Sequence, residues 1–352
     1  MGKQLKMLAH YFRECSYLKS VLKQYSASMR PGKYRLFPSM RAMALHEPQV
    51  LNRAETYFAK KDYSQRTRCI VSFLNRLYGF TNDKQTGCYE AIYTANNYDK
   101  IREVKLFSFS EKRILTICTS ELVCAEQISQ YEKWHRAFKM PAIKKGSSYA
   151  NSFEIAMVEL KQRPPEIEAL RCIVQSTKAY QSAEQRHHHT LCLGEAVKFA
   201  YEDQEMNILM TELTSKIGRD LLSVQIPLCS QHGDLSQDNL LYGESDGCTD
   251  YWWIDWEHAG ERVFFYDLFF YMLNSAVYAN SPEALDCYIS GECDKLVRDY
   301  FAHFGMAYDE TRRKDYFLIF VILFLKERVC DCGRMKALRM YYQFLDEHKL
   351  LD

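Results

Sequence analysis

The chain has 352 residues and a hydrophobic content of 47%, enough to bury a core in one large domain or in two lobes, and too apolar for a disordered chain. Its 46 Lys and Arg residues against 45 Asp and Glu leave a formal charge of +1, which excludes a long-range field able to hold a nucleic acid or an anionic membrane by charge alone. A small-molecule partner is expected, with no nucleic acid; the oligomeric state is left open.

The first residues, MGKQLKMLAHYFREC, break their apolar positions with charges, so no secretory h-region is expected there. Lys6 stands where a myristoylation signal needs Ser or Thr, and a cytoplasmic location is expected. From Leu5 to Leu77 apolar residues recur at three and four positions (Leu8, Phe12, Leu18, Leu22, then Ile70, Phe73, Leu74), the helical template. The run predicts a helical extension, interrupted around Pro31-Gly32 and Pro38. Its cations, Lys23, Arg30, Lys33, Arg35 and Arg41, read first as a solvated face.

Between Gly87 and Cys118 the period becomes strand-like. Cys88 to Tyr93 reads as a strand, and Val104 to Phe109 and Arg113 to Cys118 flank the polar turn Ser110-Glu111-Lys112, which predicts a hairpin in a small antiparallel sheet. A helix follows from Thr119 or Ser120, good N-caps, through Trp134 to a stop before Pro141. Phe153 to Leu160 reads as another strand. Helical spacing returns from Glu166 to about Val224; His187-His188-His189 within it read as a solvated turn. A loop from Ser230 to Asn239 then leads into two short strands, Leu240 to Tyr242 and Tyr251 to Ile254. From Phe264 onward everything reads as helix. The longest apolar run, Tyr316 to Leu325, covers ten residues, about half of the roughly 20 that cross a bilayer, so no membrane insertion is expected. The thirteen cysteines are odd in number and irregular in spacing; they read as reduced thiols, and Cys330-Asp331-Cys332 lacks the second pair of a zinc site.

Chemistry concentrates in Gln231-His232-Gly233-Asp234-Leu235-Ser236-Gln237-Asp238-Asn239-Leu240 and in Ile254-Asp255-Trp256-Glu257-His258-Ala259-Gly260. Phosphoryl transfer asks little covalent chemistry of a protein: a carboxylate for the incoming hydroxyl, and ligands that hold magnesium against the phosphates. An Asp in a loop, an Asn five residues on where the loop returns to a strand, and a second Asp after a hairpin would converge on one edge. Asp234 would accept the hydroxyl proton, and Asn239 and Asp255 would offer hard oxygen ligands. Each residue alone also has an ordinary structural reading, as a turn former or a loop cap.

Together these residues resemble the aminoglycoside phosphotransferase and choline kinase superfamily of protein-kinase-like small-molecule kinases. His232-Gly233-Asp234 with Asn239 looks like the aminoglycoside phosphotransferase form, and Ile254 to Gly260 looks closer to the choline kinase form. The resemblance is specific from about Gln231 to Leu273 and architectural from about Gly87 to Pro164. It implies an α+β, two-lobed protein-kinase-like fold: a helical extension over residues 1–80, a small antiparallel-sheet N-lobe with one helix over 81–162, and a mostly helical C-lobe over 163–352. It implies ATP and Mg2+ as cofactors and a small-molecule hydroxyl as acceptor. It also implies that His232 and Asp267 support the catalytic loop, Asp267 through backbone N–H groups.

The same resemblance implies a strand lysine on the ATP phosphates, paired with a helix glutamate. Glu126 fits the helix position, with Glu121 and Glu132 as lesser candidates, but the expected strand, Arg113 to Cys118, holds no lysine. With the turn at Ser110 to Lys112, Lys105 falls opposite Thr116, and cross-strand neighbours lie about 5 Å apart, so Lys105 is the candidate substitute; the other reading is that it faces solvent. Glu159 marks the expected inter-lobe hinge meeting the adenine. No glycine-rich phosphate loop is present.

Trp252, Trp253, Trp256, Tyr266, Phe269, Phe270 and Tyr271 cluster in sequence, either as a cage for a quaternary ammonium or as ordinary core. Glu257 would meet a cationic substrate or a metal-bound water. The charge mixture of the C-terminal region, with Glu283, Asp286, Glu292 and Asp294 beside Arg312, Arg313 and Arg328, does not point to a polycationic antibiotic. Three readings stay open: an active kinase for a small hydroxylated metabolite, a catalytically silent kinase-like binding module, and a protein kinase. The last is opposed by the short path from Asp255 to the next helix.

Overall fold

The computed structural model of the chain describes residues 2–37, 39, 41–58, 65–84, 86–97, 100–146, 149–184, 189–245, 247–351. They form two compact units: residues 1–133, 140–161 and 243–250 make one, and residues 134–139, 162–242 and 251–352 the other.

In the first unit, α1 (Gly2–Gln24) buries Cys15, Leu18, Val21 and Leu22, the three-and-four spacing read from the sequence. The break at Pro31-Gly32 is larger than expected. Gly32 has φ 135, and from it β1 (Gly32–Leu36) pairs antiparallel with β2 (Ala42–Leu45), Tyr34 opposite Leu45 and Leu36 opposite Met43. The expected helical extension therefore contains a hairpin. Its alternation of exposed Lys33 and Arg35 with buried Tyr34 and Leu36 is too short to show above the helical period on either side.

After α2 (Pro48–Phe58) and α3 (Gln65–Tyr78) come β3 (Thr81–Asn82), β4 (Ala91–Asn97), β5 (Lys100–Ser108), β6 (Arg113–Cys118), α4 (Glu121–Trp134), β7 (Ile143–Lys145), β8 (Ser152–Ala156) and β9 (Glu159–Leu160). Ser120 caps α4, its hydroxyl accepting from the Val123 N–H at 3.3 Å. Eight of the strands make one antiparallel sheet in the order β3-β1-β2-β4-β5-β6-β8-β7. Across β5 and β6, Lys105 pairs with Thr116, the register that the turn position implies. Leu18 and Val21 of α1 share one core with Leu106 and Leu115 of the sheet, so α1 packs into this unit's interior.

The rest of the chain adds α5 (Glu166–Glu184), β10 (Thr190–Cys192), α6 (Leu193–Ala196), α7 (Gln204–Ser215), β11 (Gln225–Gln231), β12 (Leu240–Ser245), β13 (Cys248–Trp253), β14 (Gly260–Val263), α8 (Tyr266–Tyr278), α9 (Glu283–Ser290), α10 (Asp294–His303), α11 (Arg313–Leu325) and α12 (Met335–Glu347); all belong to the second unit except residues 243–250 of β12 and β13, which belong to the first, where Gly243 pairs opposite Leu160 of β9. The small sheet β10-β11-β14 was not anticipated. Pro227 reads as a breaker in the sequence, yet it sits in β11 opposite Thr190, and Leu228 to Gln231 pair with Val263 to Gly260. α11 is apolar around most of its circumference and buried from Tyr316 to Ile322, as a core helix must be. No described helix is long and apolar enough to cross a membrane. None of the thirteen cysteines is in a disulfide. Of the three histidines, 187 and 188 lie outside the described residues; His189 is exposed and pairs with Glu261 at 3.0 Å.

Candidate active site

Strand β11 delivers the loop. Its last residue, Gln231, is buried, and its side-chain carbonyl accepts from the Asp267 N–H at 2.9 Å. Asp267, in the first turn of α8, returns the contact: its carboxylate accepts from the His232 N–H at 2.6 Å and the Gly233 N–H at 2.9 Å. Those two N–H groups have left the strand ladder inside the core and need an acceptor; a carboxylate at a helix N-terminus supplies one and gains from the helix dipole. Burial pushes the Asp267 carboxyl up to about 6, against the pull of its Gly233 and His232 hydrogen bonds and of Arg262.

Between the anchors the backbone turns through Gly233, at φ 81. A Cβ there would lie 2.4 Å from the His258 carbonyl oxygen and 2.6 Å from Arg262 Nη1, so the position needs glycine on two counts. His232 is fully buried. Its Nε2 donates to the Ile254 carbonyl at 2.8 Å, and its Nδ1 accepts from the Asp234 N–H at 3.3 Å, a pairing that fits the neutral ring. Burial lowers its pKa to about 4. It ties the loop to the end of β13, one residue before Asp255.

Asn239 closes the loop. Its Nδ2 donates to the Asp234 carbonyl at 2.8 Å and approaches the Asp234 carboxylate at 3.3 Å, while its backbone carbonyl accepts from the Ile254 N–H at 3.0 Å. Asn239 is thus stitched to Asp234 on one side and to the residue preceding Asp255 on the other. Asp255 is exposed, with left-handed backbone at φ 64 and ψ 63, a conformation that Asp tolerates better than most residues and that clusters at functional sites. Asp234 is partly exposed; burial raises its pKa to about 6, Arg328 opposes the rise, and the charge of Asp255 adds to it. The interaction sets the two carboxylates within electrostatic range.

Several residues of this site carry no local sequence signal. Arg328 lies in the π-helical turn Lys326–Cys330 at the end of α11, a distortion frequent at functional sites. Its Nη2 donates to the Gly233 carbonyl at 2.8 Å and sits 3.7 Å from the Asp234 carboxylate. Arg262 donates to the His258 carbonyl at 3.0 Å and from Nε to Glu327 at 3.1 Å. On the far side of the loop, Gln237 donates to buried Glu166 at 2.6 Å and to Ser275 at 3.1 Å, and Arg163 donates to its carbonyl. These partners come from elements up to 95 positions away in sequence; only the fold makes them neighbours.

The seven aromatics near the motifs are core. Trp252, Trp253, Trp256, Tyr266, Phe269, Phe270 and Tyr271 are all at most 5% exposed. Trp256 stacks on Trp134 at 4.7 Å and leans on Phe138 and His232 at the same distance, making a wall under the loop. Glu257 lies 3.4 Å from His258. Within the mixed C-terminal charges, Asp294 is taken by Arg313, whereas Glu283, Asp286 and Glu292 line one recess beside Pro282.

The other expected site residues lie in the first unit. Lys105 Nζ is 2.7 Å from Glu103 on its own strand, and the buried Glu103 also accepts from Gln127 of α4 at 2.6 Å. Glu126, beside Gln127, is exposed. Glu159 pairs with Lys112 at 2.9 Å and, through its backbone, with Glu244.

No family model matches the chain, and no curated protein does. Among solved structures it is similar to a choline/ethanolamine kinase family protein from Mesorhizobium loti, at 14% identity over 74% of this chain and 87% of that one, with a TM-score of 0.42. It is similar also to a choline kinase from Streptococcus pneumoniae, at 10% identity over 80% and 99% and a TM-score of 0.42, and to an aminoglycoside phosphotransferase, at 12% identity over 74% and 92% and a TM-score of 0.43. At these values no residue role and no substrate is carried across.

Proposed function

We propose that the chain is a small-molecule kinase that moves the γ-phosphate of ATP to a hydroxyl group. The observation that carries this reading is the coupling of Asp234, Asn239 and Asp255: one amide group bridges to the first Asp, and one backbone hydrogen bond holds the loop against the strand end that presents the second. A turn former needs no such convergence.

Asp234 is the proposed base. Poised near 6 by burial and restrained by Arg328, it is ionised at neutral pH yet basic enough to take a proton as the acceptor oxygen attacks phosphorus. The O–P bond to the acceptor forms, the bond to the bridging oxygen of ADP breaks, and the hydroxyl proton goes to the Asp234 carboxylate. Asp255 and the amide oxygen of Asn239, whose nitrogen is already committed to Asp234, are the proposed magnesium ligands. The donor set fits that ion. Among the described residues no cluster of three or more acidic, His or Cys side chains forms a cage, and magnesium is held by one or two protein oxygens together with phosphates and water. When bound, it would offset charge on the nucleotide phosphates.

Lys105 remains the proposed cation for the ATP phosphates, Glu126 its proposed helix partner and Glu159 part of the proposed adenine contact. One observation favours the second reading, a silent binding module: Lys105 is already engaged by Glu103. The test is ATP consumption with magnesium against choline, ethanolamine, sugars, thiamine and aminoglycosides, with Asp234→Asn as the comparison. Turnover on one acceptor that falls about 100- to 10,000-fold in the variant is expected. Equal turnover in the variant would sink Asp234 as base, and no thermal stabilisation by millimolar Mg-ATP would leave the silent module.

A further inference from the structure

Where α11 ends, its hydrogen bonding widens. The Asp331 N–H reaches back five residues to the Lys326 carbonyl at 3.1 Å, closing the π-helical turn Lys326–Cys330. Such turns are rare and frequent at functional sites. Three consecutive charged residues open this one, and successive helix side chains leave the axis in different directions, so each meets a different segment. Lys326 donates to the Ala196 and Lys198 carbonyls at 2.8 and 3.1 Å. Glu327 accepts from Arg262 at 3.1 and 2.5 Å, and Arg262 in turn donates to the His258 carbonyl at 3.0 Å. Arg328 donates to the Gly233 carbonyl at 2.8 Å. One turn is thus tied directly to the loop that carries Asp234 and, through Arg262, to the turn that follows Asp255.

The carbonyl that Arg328 holds belongs to the peptide joining Gly233 to Asp234. The N–H of the same peptide donates to His232 Nδ1 at 3.3 Å, so both of its polar groups are held, and the orientation of that peptide sets where the Asp234 side chain leaves the backbone. Arg328 Nη2 stays 3.7 Å from Asp234 Oδ1, outside hydrogen-bond range. A guanidinium kept for stability alone is expected to take a carboxylate with its fork. Here Glu327 goes to Arg262, Arg328 spends its donor on a carbonyl, and the Asp234 oxygen it faces is left uncovered by it, as a proton acceptor requires.

We propose that Arg328 is a positioning residue for phosphoryl transfer: by holding the Gly233 carbonyl it sets the direction in which the Asp234 carboxylate faces the acceptor hydroxyl. This role rests on the kinase reading, and Arg328 reaches the reaction only through Asp234. Lys at this position would meet the carbonyl as a point charge, without the planar fork that holds a second direction towards Asp234.

The experiment measures turnover with the acceptor found by the panel, and hydrogen exchange over residues 232–239, in Arg328→Ala and Arg328→Lys. In Arg328→Ala, kcat is expected to fall about 100-fold, the cost of misplacing a group by about 1 Å, with KM for acceptor and Mg-ATP unchanged because only the placement of the base is altered. A fall of about tenfold, one charge-assisted contact, is expected in Arg328→Lys, which carries the test should Arg328→Ala fail to fold. In the Asp234→Asn background Arg328→Ala is expected to lower turnover no further, since residues that act as a unit are not additive. A further fall there, or a raised KM with kcat unchanged, overturns the proposal, because Arg328 would then act apart from Asp234. Faster exchange over 232–239 is expected in Arg328→Ala, and unchanged exchange overturns the proposal even if wild type turns over ATP. Faster exchange with no turnover by wild type on any acceptor would instead remove the kinase reading, and the role in transfer with it, leaving Arg328 as a residue that only holds the loop.

Discussion

The loop from Gln231 to Asn239 and the strand pair carrying Lys105 and Thr116 both hold charge at the edge of a buried layer, but they do so differently. In the loop, the groups that set the turn are tied to backbone: Asp267 to two N–H groups, His232 to a carbonyl, Arg328 to another. In the strands, charge meets charge, Lys105 on Glu103, which also accepts from the Gln127 amide. Backbone ties fix a conformation, because their partners cannot be exchanged without unfolding the turn. Side-chain pairs fix a protonation state and can be redistributed. The loop is therefore the part whose geometry should be hardest to change without loss, and the strand pair the part most open to substitution.

The sharpest break of that contrast is Asp267→Ala, which orphans two buried N–H groups and is expected to cost about 2–6 kcal/mol, at roughly 1–3 for each buried donor left unmet. The check is the denaturant midpoint, with ATP turnover lost in step. Gly233→Ala comes next. The added methyl meets the His258 carbonyl in a left-handed turn, and a loss of about 1–3 kcal/mol is expected from overpacking; a variant as stable as wild type would mean that the turn adapts.

On the strand side, Lys105→Met strips buried Glu103 of its cation and should cost about 1–3 kcal/mol, below the full figure for a buried pair because Lys105 is itself 28% exposed. Adding Glu103→Gln should restore stability. If turnover stays low in that stable double variant, Lys105 serves the nucleotide; if turnover returns with stability, its role is structural.

The last effect is a pH slope. His232 has its folded pKa depressed to about 4, below the usual value near 6.5 for an exposed ring, so the unfolded chain binds the extra proton. The stability it contributes is complete above about 6.5 and is lost as pH falls towards about 4. Melting curves between those limits should be steeper for wild type than for His232→Asn; parallel curves would remove His232 as the group responsible.

How much of this was legible follows from the same contrast. Asp234, Asn239 and Asp255 stand out because their order and spacing lie within one loop and one hairpin, where a few residues decide geometry. The Lys105–Thr116 register was legible because a turn sets it. The hairpin of β1 and β2 and the sheet of β10, β11 and β14 were not: strands of three to seven residues flanked by helical spacing give too few alternations to overturn the longer period. Arg328, Arg262 and Glu166 were invisible as site residues, since nothing near them in sequence hints at the Gly233 carbonyl, the His258 carbonyl or the Gln237 amide. The aromatic cluster was ambiguous for another reason, because cage and core use the same residues and only burial separates them.

Trp134 and Phe138, which back the Gln231–Asn239 loop through Trp256, belong to a six-residue stretch, 134–139, set apart from the sequence on either side of it. A gene fragment starting after Lys161 would encode the loop, Asp255 and all the later helices, and still leave Trp256 facing a void. The later part of the chain is thus not a transferable cassette. Recombination after Lys161 would exchange the loop without its support, and grafts of this region should be cut upstream of Trp134 instead.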